Sequence, residues 1–541
     1  MGYLKFTPSW LRLLIVILLV LGVFFRLFHL DYKVYWHDEV YTSMRAASFT
    51  RQEIDQEIFQ NRIIPASELE KYQRPKLGST FKDTIKSLEI EDPQHPPLYF
   101  LMARFWMQIF GSSLTASRIL PALLSFLNLP LMYSLGLELF GSRTVALFAM
   151  VLLALSPFDI LFAQTARQYG LLTTTVIGSN FLLLKAWRLP TWQNWGLYTL
   201  ANTVGWYTHP LFGLTVIAQG VYVLLEQILG WKFSKNKLES AENLPIKKGK
   251  LRVGNINFFV AAIAISLVLY YPWIIVLKNN YQRLSDTTSW NRISADFLYL
   301  IKLWILSFTS LFFDLDFGFD NIWNYLPRLL VILVIAAAIY KVCKQTNRAN
   351  WLFIITTIFV PFLMLALPDL LVGGKRSTVS RYLISCYPGV QLAVAYLLAK
   401  TIINKRRFWQ SITLLLITGS VASSTVSAFA DTWWSKDLSF WNAEIVRQVN
   451  AAVSPIIISD IGDDYTNTGD LISLSYFLHD NVRLLLVSQP PELEKLNITS
   501  LLAENSQLFL FRPSSKLIEA FEKEQSQLVQ VFKPGRLWQI K

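Results

Sequence analysis

Apolar runs long enough to cross a lipid bilayer recur along nearly all of this 541-residue sequence, and they constrain its fold more than any other feature. A helix needs about 20 apolar residues to span a hydrocarbon core of about 30 Å. The first run, Leu11 to Leu30, is too long for a secretory signal, and no small-residue cleavage site follows it. Only 16% of the residues are charged, against about a quarter in typical soluble domains. We therefore predict a multi-pass α-helical membrane protein.

The apolar runs predict about eleven transmembrane helices. The predicted spans are residues 11–30, 116–138, 143–157, 170–187, 195–208, 211–229, 256–277, 327–343, 351–368, 382–400 and 409–429. Two shorter apolar stretches, Leu98 to Phe110 and Phe297 to Phe313, are interpreted instead as helices at the membrane interface. The first of them also contains Arg104, which supports the interfacial interpretation.

Lysine and arginine are concentrated in alternate loops, and this pattern predicts the orientation. Cytoplasmic loops carry an excess of both residues. Lys5 and Arg12 precede the first span, and the most basic later loop covers residues 232–252. We therefore expect a cytoplasmic N-terminus, a large first extracytoplasmic loop at residues 31–115, and an extracytoplasmic tail after Ala430. These loops account for the net charge of +13, so no nucleic-acid partner is expected, and the two cysteines indicate no disulfide framework.

The sequence after Ala430 changes to short apolar segments separated by polar ones. The predicted strands are PIIIS at 455–459, RLLLV at 483–487, QLFLF at 507–511 and LVQVF at 528–532. Leu517 to Lys523 is predicted to be helical. This alternation is typical of a small α/β domain. We therefore divide the chain into a transmembrane domain, residues 1–430, and a soluble C-terminal α/β domain, residues 431–541.

Two adjacent acids follow the first span, in Trp36-His37-Asp38-Glu39. At this position carboxylates stay hydrated, whereas a charge at the bilayer centre would cost about 2.5–3.5 kcal/mol. Adjacent side chains point in different directions, so one acid could reach a substrate while the other holds a cation or a helix N-terminus. The alternative is that both acids only cap a helix beginning near Val40, and the dipeptide alone favours this alternative.

A second polar motif, Asp92 to Tyr99, precedes the apolar stretch that begins at Leu98. Its paired prolines suit the first turn of a helix and would hold His95 at the membrane surface. By itself the motif is a helix-start signal. A divalent metal ion held by Asp38, His95 and Asp159 is a further hypothesis, although their spacing lacks the compactness of a typical metal site.

The third motif is a short outer turn that begins at a Ser-Pro pair. It contains Asp159, Gln164, Arg167 and Tyr169, and polar groups at membrane depth are more costly than a plain turn requires. The guanidinium of Arg167 offers a fork of donors to a carboxylate or a phosphate. The structural alternative is an ion pair from Arg167 to Asp159 or Asp38 that only ties two loops together.

Cations also occur on the predicted outer face near the later spans. His209 opens one span, and Arg376, Arg381 and Tyr382 mark the loop that enters another. Outer cations run against the usual charge bias of membrane proteins. A bound lipid phosphate would explain them, and contact with the anionic head groups of ordinary membrane lipids is the alternative.

Taken in order, these motifs resemble a known family. The residues that carry the resemblance are Asp38-Glu39, His95 to Tyr99, Ser156-Pro157, Ala166 to Tyr169, His209, and Arg381-Tyr382 with Pro388. They resemble the bacterial GT-C glycosyltransferases of the protein-mannosyltransferase-like group (family 39, RgtA/B/C/D-like), and more distantly the aminoarabinose transferases that modify lipid A. The resemblance covers roughly residues 1 to 400. It implies a GT-C fold in a bacterial plasma membrane, a polyprenyl-phosphate-linked sugar donor and an extracytoplasmic acceptor.

The resemblance also assigns roles to residues. Asp38 is the implied catalytic acid, with Glu39 as its partner and Asp159 as a second acid. We expect Arg167, Arg376, Arg381 and Tyr382 to bind the donor phosphate, and His95, Tyr99, Gln164, Tyr169 and His209 to contact substrate. The expected reaction is a single displacement that inverts the anomeric carbon, with no cofactor beyond a possible divalent metal ion.

Two classes of protein are rivals to this prediction. A transporter or flippase for lipid-linked glycans would also be polytopic and bind charged lipids. Transporters place ionisable residues near the middle of the membrane, often in two related halves, whereas here the acids gather at one face and no such halves are visible. A membrane-anchored scaffold would leave the outer acids and arginines unexplained.

Overall fold

The computed structural model describes residues 9–239, 253–403, 406–491, 507–524 and 527–540. Contacts divide them between two compact units, which we call the helical unit and the mixed unit. The helical unit comprises the described residues of Met1–Phe28, Asp92–Tyr99 and Pro121–Ala428. The mixed unit comprises the described residues of His29–Glu91, Phe100–Leu120 and Phe429–Lys541. Most of the predicted basic loop, residues 240–252, lies outside the described residues.

The helices are numbered in chain order. The first eleven are α1 (Ser9–Leu27), α2 (His37–Ala46), α3 (Arg51–Ile58), α4 (Phe81–Glu91), α5 (Leu98–Phe110), α6 (Leu114–Phe126), α7 (Asn128–Phe140), α8 (Arg143–Leu155), α9 (Pro157–Ala163), α10 (Tyr169–Arg188) and α11 (Trp192–Thr208). The others in the described ranges are α12 (Phe212–Glu239), α13 (Val253–Asn279), α14 (Tyr281–Thr287), α15 (Phe297–Thr309), α16 (Leu326–Gln345), α17 (Arg348–Leu371), α18 (Tyr387–Ile403), α19 (Arg407–Ala428), α20 (Asn442–Asn450), α21 (Asn467–Ser475) and α22 (Ser515–Lys523).

In the described part of the chain, six helices are long and apolar enough to cross a membrane, or seven if the bent pair α8–α9 is one span. The six are Leu114–Phe140, Phe212–Leu229, Asn255–Asn279, Ile322–Gln345, Arg348–Leu371 and Arg407–Ala428. The chain is therefore a multi-pass helical membrane protein.

The predicted count of eleven spans is not confirmed. The predicted spans at 11–30, 170–187, 195–208 and 382–400 form α1, α10, α11 and α18, which are not among the six. Helices α11 and α18 have only 17 residues each, and α10 carries a run of three threonines and an asparagine. The two short apolar stretches form the separate helices α5 and α15, and their interfacial position stays a prediction.

The chain bends between α8 and α9 at a proline, and an arginine donates hydrogen bonds to the carbonyls at the bend. The two helices meet at 57°, and Pro157 has no N–H to donate to the carbonyl of Leu153 four residues earlier. The buried guanidinium of Arg26 donates to Leu153 O at 2.9 Å and also to Ala154 O. Gly22 permits this close approach, because a Cβ there would lie 2.5 Å from Ala154 O. Arg26 thus satisfies backbone groups that cannot find water inside a membrane.

Replacing Arg26 by methionine is expected to destabilise the helical unit by about 2–4 kcal/mol, because the carbonyl of Ala154 loses its Arg26 donor and that of Leu153 keeps only the N–H of Ser156 at 3.4 Å. Thermal unfolding in detergent measures the change. Arg12→Met is the matched control, because Arg12 lies on the same helix and is exposed, and it should unfold like the wild type. Equal unfolding temperatures for both variants would contradict this account of the broken span.

The described residues of the mixed unit contain one six-stranded sheet. Its strands are β1 (Arg62–Pro65), β2 (Pro455–Ser459), β3 (Arg483–Leu486), β4 (Gln507–Phe511), β5 (Leu528–Phe532) and β6 (Leu537–Ile540), in the order β1-β3-β2-β4-β6-β5. The central strands β3, β2 and β4 are parallel, and the outer strands are antiparallel to their neighbours. Strand β2 is buried throughout, and Leu517 and Phe521 of α22 pack against the sheet.

The four predicted strands and the predicted helix near residue 517 are confirmed. Strands β1 and β6 were not predicted. Strand β1 has four residues, RIIP, and lies at the edge of the sheet, where its terminal proline is tolerated. Because β1 comes from the predicted first loop, the sheet is not built from residues 431–541 alone, and a separate C-terminal domain is not confirmed.

Candidate functional site

The adjacent acids Asp38 and Glu39 occupy the first turn of α2 and have different surroundings. Glu39 is fully buried, whereas Asp38 is partly exposed. One carboxylate oxygen of Glu39 accepts a hydrogen bond from the backbone N–H of Trp36 at 3.0 Å. A carboxylate at this position satisfies a backbone donor that the helix leaves open. Glu39 therefore holds the start of the helix, and Asp38 is the acid of the pair that has access to solvent.

Glu39 is also the centre of a buried ion-pair network in the mixed unit. Arg118 donates to it through two nitrogens, Nε and Nη2, each at 2.9 Å. The ammonium of Lys436 lies 2.6 Å from the same carboxylate. Burial alone would raise the pKa of Glu39, but the charges of Arg118 and Lys436 lower it to about 2. Glu39 is therefore ionised at any physiological pH and serves to anchor the turn.

Three buried cations share this one buried carboxylate. The third cation is Lys33, which is buried and lies close enough to Arg118, Lys436 and Glu39 to interact with their charges. Burial, followed by repulsion from Lys436 and Arg118, lowers the pKa of Lys33 to about 7. Burial likewise lowers the pKa of Lys436 to about 8, against the opposing attraction of Glu39. The surroundings of the acidic pair are therefore strongly positive.

Sequence reasoning missed these three cations. Arg118 had a usable signal, because a charged residue within the apolar stretch of α6 needs a partner. Another side chain would not easily replace the guanidinium of Arg118, because it also donates to the carbonyls of Leu30, Lys33 and Val34 at 2.7–3.0 Å. Lys436 had no such signal, because it lies 397 residues from Glu39 in the chain.

A second group of predicted residues comes together in the helical unit. His95 lies just before α5, Arg167 between α9 and α10, and His209 between α11 and α12. The Arg167 Nη2 atom is 3.4 Å from His95 Nε2. The ring centres of His95 and His209 are 6.0 Å apart, as are those of Tyr169 and His209. Arg167 and Arg381 lie 5.7 Å and 5.9 Å from the ring centre of Tyr169, so two cations share one aromatic ring.

Both histidines in this group are held neutral. Burial, followed by the charge of Arg167, lowers the pKa of His95 well below its usual value, and Asp92 only partly opposes this. Burial, with Arg167 and Arg381, lowers the pKa of His209 to about 3. Two guanidinium groups beside uncharged imidazoles outnumber the single carboxylate of Asp92, so the cluster as a whole suits an anion.

The hydrogen bonds define which nitrogen of the neutral His209 carries its proton. Both ring nitrogens of His95 face donors, since Nε2 lies 3.4 Å from Arg167 Nη2 and Nδ1 lies 3.1 Å from the amide nitrogen of Gln168, and a neutral ring accepts from only one of them. In His209 the backbone N–H of Leu211 donates to Nδ1 at 3.1 Å, so the proton sits on Nε2. The Nε2–H of His209 is thus a neutral donor within a cationic cluster.

Two predicted residues have structural partners in the broken span instead. Asp159 is buried near the start of α9, where Gln391 donates to it at 2.8 Å and Arg26 attracts it electrostatically. Gln164 donates to the carbonyls of Phe25 and Phe28 at 2.7 Å each, at the end of α1. These contacts explain both polar side chains as parts of the helix packing.

The remaining predicted residues are divided between the cluster and other contacts. Tyr382 lies beside Arg381, whose guanidinium carbon is 5.8 Å from its ring centre. Arg376 instead pairs with Asp369 at 3.1 Å. Tyr99 is buried in the first turn of α5. Of the two predicted arginines in this loop, Arg381 therefore lies with Arg167 beside the ring of Tyr169, and Arg376 is paired with Asp369.

A metal site gains no support from the described ranges. Among them, no group of three or more His, Cys, Asp or Glu side chains is placed to hold a metal ion.

Comparison with known proteins agrees with the resemblance drawn from the motifs. Residues 94–240 match the family model described as dolichyl-phosphate-mannose-protein mannosyltransferase, and this range contains His95, Arg167 and His209. The structure of ArnT from Cupriavidus metallidurans bound to undecaprenyl phosphate is similar, with a TM-score of 0.50 at 12% identity. The similarity covers 99% of this chain and 98% of that one. The chain has a GT-C fold.

Other GT-C structures are similar at lower scores. One is the oligosaccharyltransferase AglB from Archaeoglobus fulgidus in complex with an inhibitory peptide and a dolichol-phosphate, with 11% identity and a TM-score of 0.48. This similarity covers 93% of this chain and 69% of that one. The structure of the S. cerevisiae protein O-mannosyltransferase Pmt1-Pmt2 complex bound to the sugar donor is also similar, with 15% identity and a TM-score of 0.33. This similarity covers 52% of this chain and 35% of that one. No curated protein has a significant sequence match to the chain.

Proposed function

We propose that this GT-C protein transfers a sugar from a polyprenyl-phosphate-linked donor to an extracytoplasmic acceptor. The observation that carries the proposal is the cationic cluster of Arg167, Arg381, His95, His209 and Tyr169, most of which lies in the range matching the mannosyltransferase family. ArnT, which shares the fold, was solved with undecaprenyl phosphate bound. A phosphate on a lipid is the ligand that best suits two guanidinium groups beside neutral donors.

Arg167 and Arg381 are proposed to bind the donor phosphate and to stabilise the charge that it gains on departure. The phosphate is already a good leaving group, so the protein must chiefly orient the reactants and stabilise that charge. The neutral Nε2–H of His209 adds a donor without adding charge. Asp159, Gln164 and Arg376 have structural partners and are not part of the proposed phosphate site.

Asp38 is proposed to act as the general base. An acceptor oxygen or nitrogen attacks the anomeric carbon, its proton passes to the Asp38 carboxylate, and the bond to the phosphate oxygen breaks with its electron pair. A single displacement of this kind inverts the anomeric carbon. Glu39 cannot take this role, because it is buried and held by Arg118 and Lys436.

The proposed location is the outer face of a bacterial plasma membrane, with the N-terminus in the cytoplasm. The distribution of lysine and arginine supports this orientation. Cysteine-accessibility mapping of intact cells tests it. A cysteine at His37 should be labelled from outside and one at Lys237 only after permeabilisation. Labelling of both from the same side would overturn the proposed orientation and, with it, the proposed site.

Replacing Arg167 by alanine is expected to raise the KM for the sugar donor by about ten- to hundredfold, the loss that corresponds to one charged hydrogen bond. Transfer kinetics with purified protein and a sugar-charged polyprenyl phosphate measure this change. Arg376→Ala is the matched control, because Arg376 lies in the same unit but pairs with Asp369, and its donor KM should change little. Equal effects of the two variants would contradict the assignment of Arg167 to the phosphate.

A further inference from the structure

The first turn of α2 is held from the far end of the chain. The indole N–H of Trp36 donates to the carbonyl of Asp437 at 2.8 Å. The hydroxyl of Ser439 accepts the backbone N–H of His37 at 2.9 Å. With Lys436 on Glu39 at 2.6 Å, the segment 436–439 contacts three of the four residues of the Trp36-His37-Asp38-Glu39 motif.

One of these contacts supplies a hydrogen-bond acceptor that the side chain of Trp36 cannot supply to the first turn of α2. The first N–H groups of a helix have no partner within the helix, and tryptophan at the position before the first turn has no side-chain acceptor for them. The hydroxyl of Ser439 supplies one acceptor from a distant segment. That hydroxyl is itself fixed, because it donates at 2.6 Å to the buried carboxylate of Asp470, which also pairs with Arg512.

The side chain of His37 also contacts residues from the C-terminal part of the chain. Its Nδ1 lies 3.9 Å from Asp470, and its ring centre is 4.7 Å from that of Tyr41. Gly469 of α21 lies directly against both rings, since a Cβ there would come within 2.7 Å of His37 and 2.6 Å of Tyr41. Both neighbours of Asp38, His37 and Glu39, are therefore fixed by residues from the C-terminal part of the mixed unit.

We propose that Lys436 and Ser439 are positioning residues that set the direction of the Asp38 carboxylate. They fix the backbone on both sides of Asp38, and the charge of Lys436 also attracts the Asp38 carboxylate. This inference rests on the proposed function of Asp38. It gives residues 436–439 a part in the transfer step, beside any part that the C-terminal segment has in recognising an acceptor.

The charge balance around Glu39 separates this role from a purely structural one. Without Lys436, Glu39 still keeps both hydrogen bonds from Arg118, and one of three mutually repelling buried cations is removed. Glu39 should therefore stay paired in Lys436→Met, and the unfolding temperature should change by less than about 5 °C.

The test compares transfer kinetics of Lys436→Met, Lys436→Arg and wild type in the full chain. We expect Lys436→Met to lower kcat by about ten- to hundredfold, because small displacements of a catalytic group have effects of this size. The donor KM should not change, since the phosphate cluster is intact, and Lys436→Arg should restore most of kcat. Lys516→Met is the matched control, because Lys516 is exposed on α22, and it should behave as wild type.

Ser439→Ala removes one hydroxyl only and should also lower kcat without changing the donor KM, so it tests the idea even if Lys436→Met does not fold. Wild-type kcat in Lys436→Met and Ser439→Ala, with an inactive Asp38→Asn variant, would overturn the positioning role and leave the proposed function standing. Wild-type activity in Asp38→Asn would instead overturn the role of Asp38 on which this inference rests.

Discussion

Asp38→Asn is expected to lower the rate of sugar transfer by about 10²–10⁴-fold, the usual contribution of a general base. The amide keeps the size of the side chain but cannot accept the proton of the acceptor. Folding should be little affected, because Asp38 is partly exposed and Glu39 keeps its ion pairs with Arg118 and Lys436. Transfer from a labelled polyprenyl-phosphate sugar in membranes measures the rate.

The control for this variant is Asp31→Asn. Asp31 is an exposed acid in the same connection between α1 and α2, and its substitution should leave transfer unchanged. Full activity in Asp38→Asn would remove Asp38 from the reaction. Loss of activity in both variants would show that the assay responds to acids of this segment in general.

Arg118→Met is expected to destabilise the mixed unit by about 3–5 kcal/mol, the range for breaking a buried ion pair by removing one partner. The substitution takes two hydrogen bonds from Glu39 and leaves three backbone carbonyls without their donor. Thermal or denaturant unfolding in detergent, with comparison of expression level, measures the loss.

Two further variants identify the cause of this loss. Arg118→Lys keeps the charge but not the forked geometry, so it should be intermediate. The double variant Glu39→Met with Arg118→Met removes both charges and should lose less stability than the sum of the single variants. A stability within 1 kcal/mol of wild type for Arg118→Met would contradict the central place of this network.

The sequence predicted the strands after Ala430 because their apolar runs are short and bounded by polar turns. It did not predict β1, since four residues ending in proline resemble a loop. The predicted span count is not confirmed for a related reason: α10, α11 and α18 are short or carry polar residues, so apolar character alone does not show whether they cross the membrane.

Within the candidate site, local reasoning worked where the cause was local. The expectation that one acid of the pair would hold a helix N-terminus or a cation is confirmed for Glu39, which does both, because adjacent helical positions point apart. Asp159 is assigned a catalytic role from the sequence, and Gln164 a substrate contact, partly because polar residues are costly in a membrane. Their partners are instead groups near the Pro157 break and the end of α1, which sequence spacing does not reveal.

Mass spectrometry of envelope glycolipids and glycans from cells lacking the protein tests the central claim most directly. The account predicts that a sugar-charged polyprenyl phosphate accumulates and that one glycan or glycolipid lacks a single sugar residue. The wild-type gene should reverse both changes, and the Asp38→Asn variant should reverse neither. An unchanged envelope profile, or full reversal by Asp38→Asn, would contradict the account.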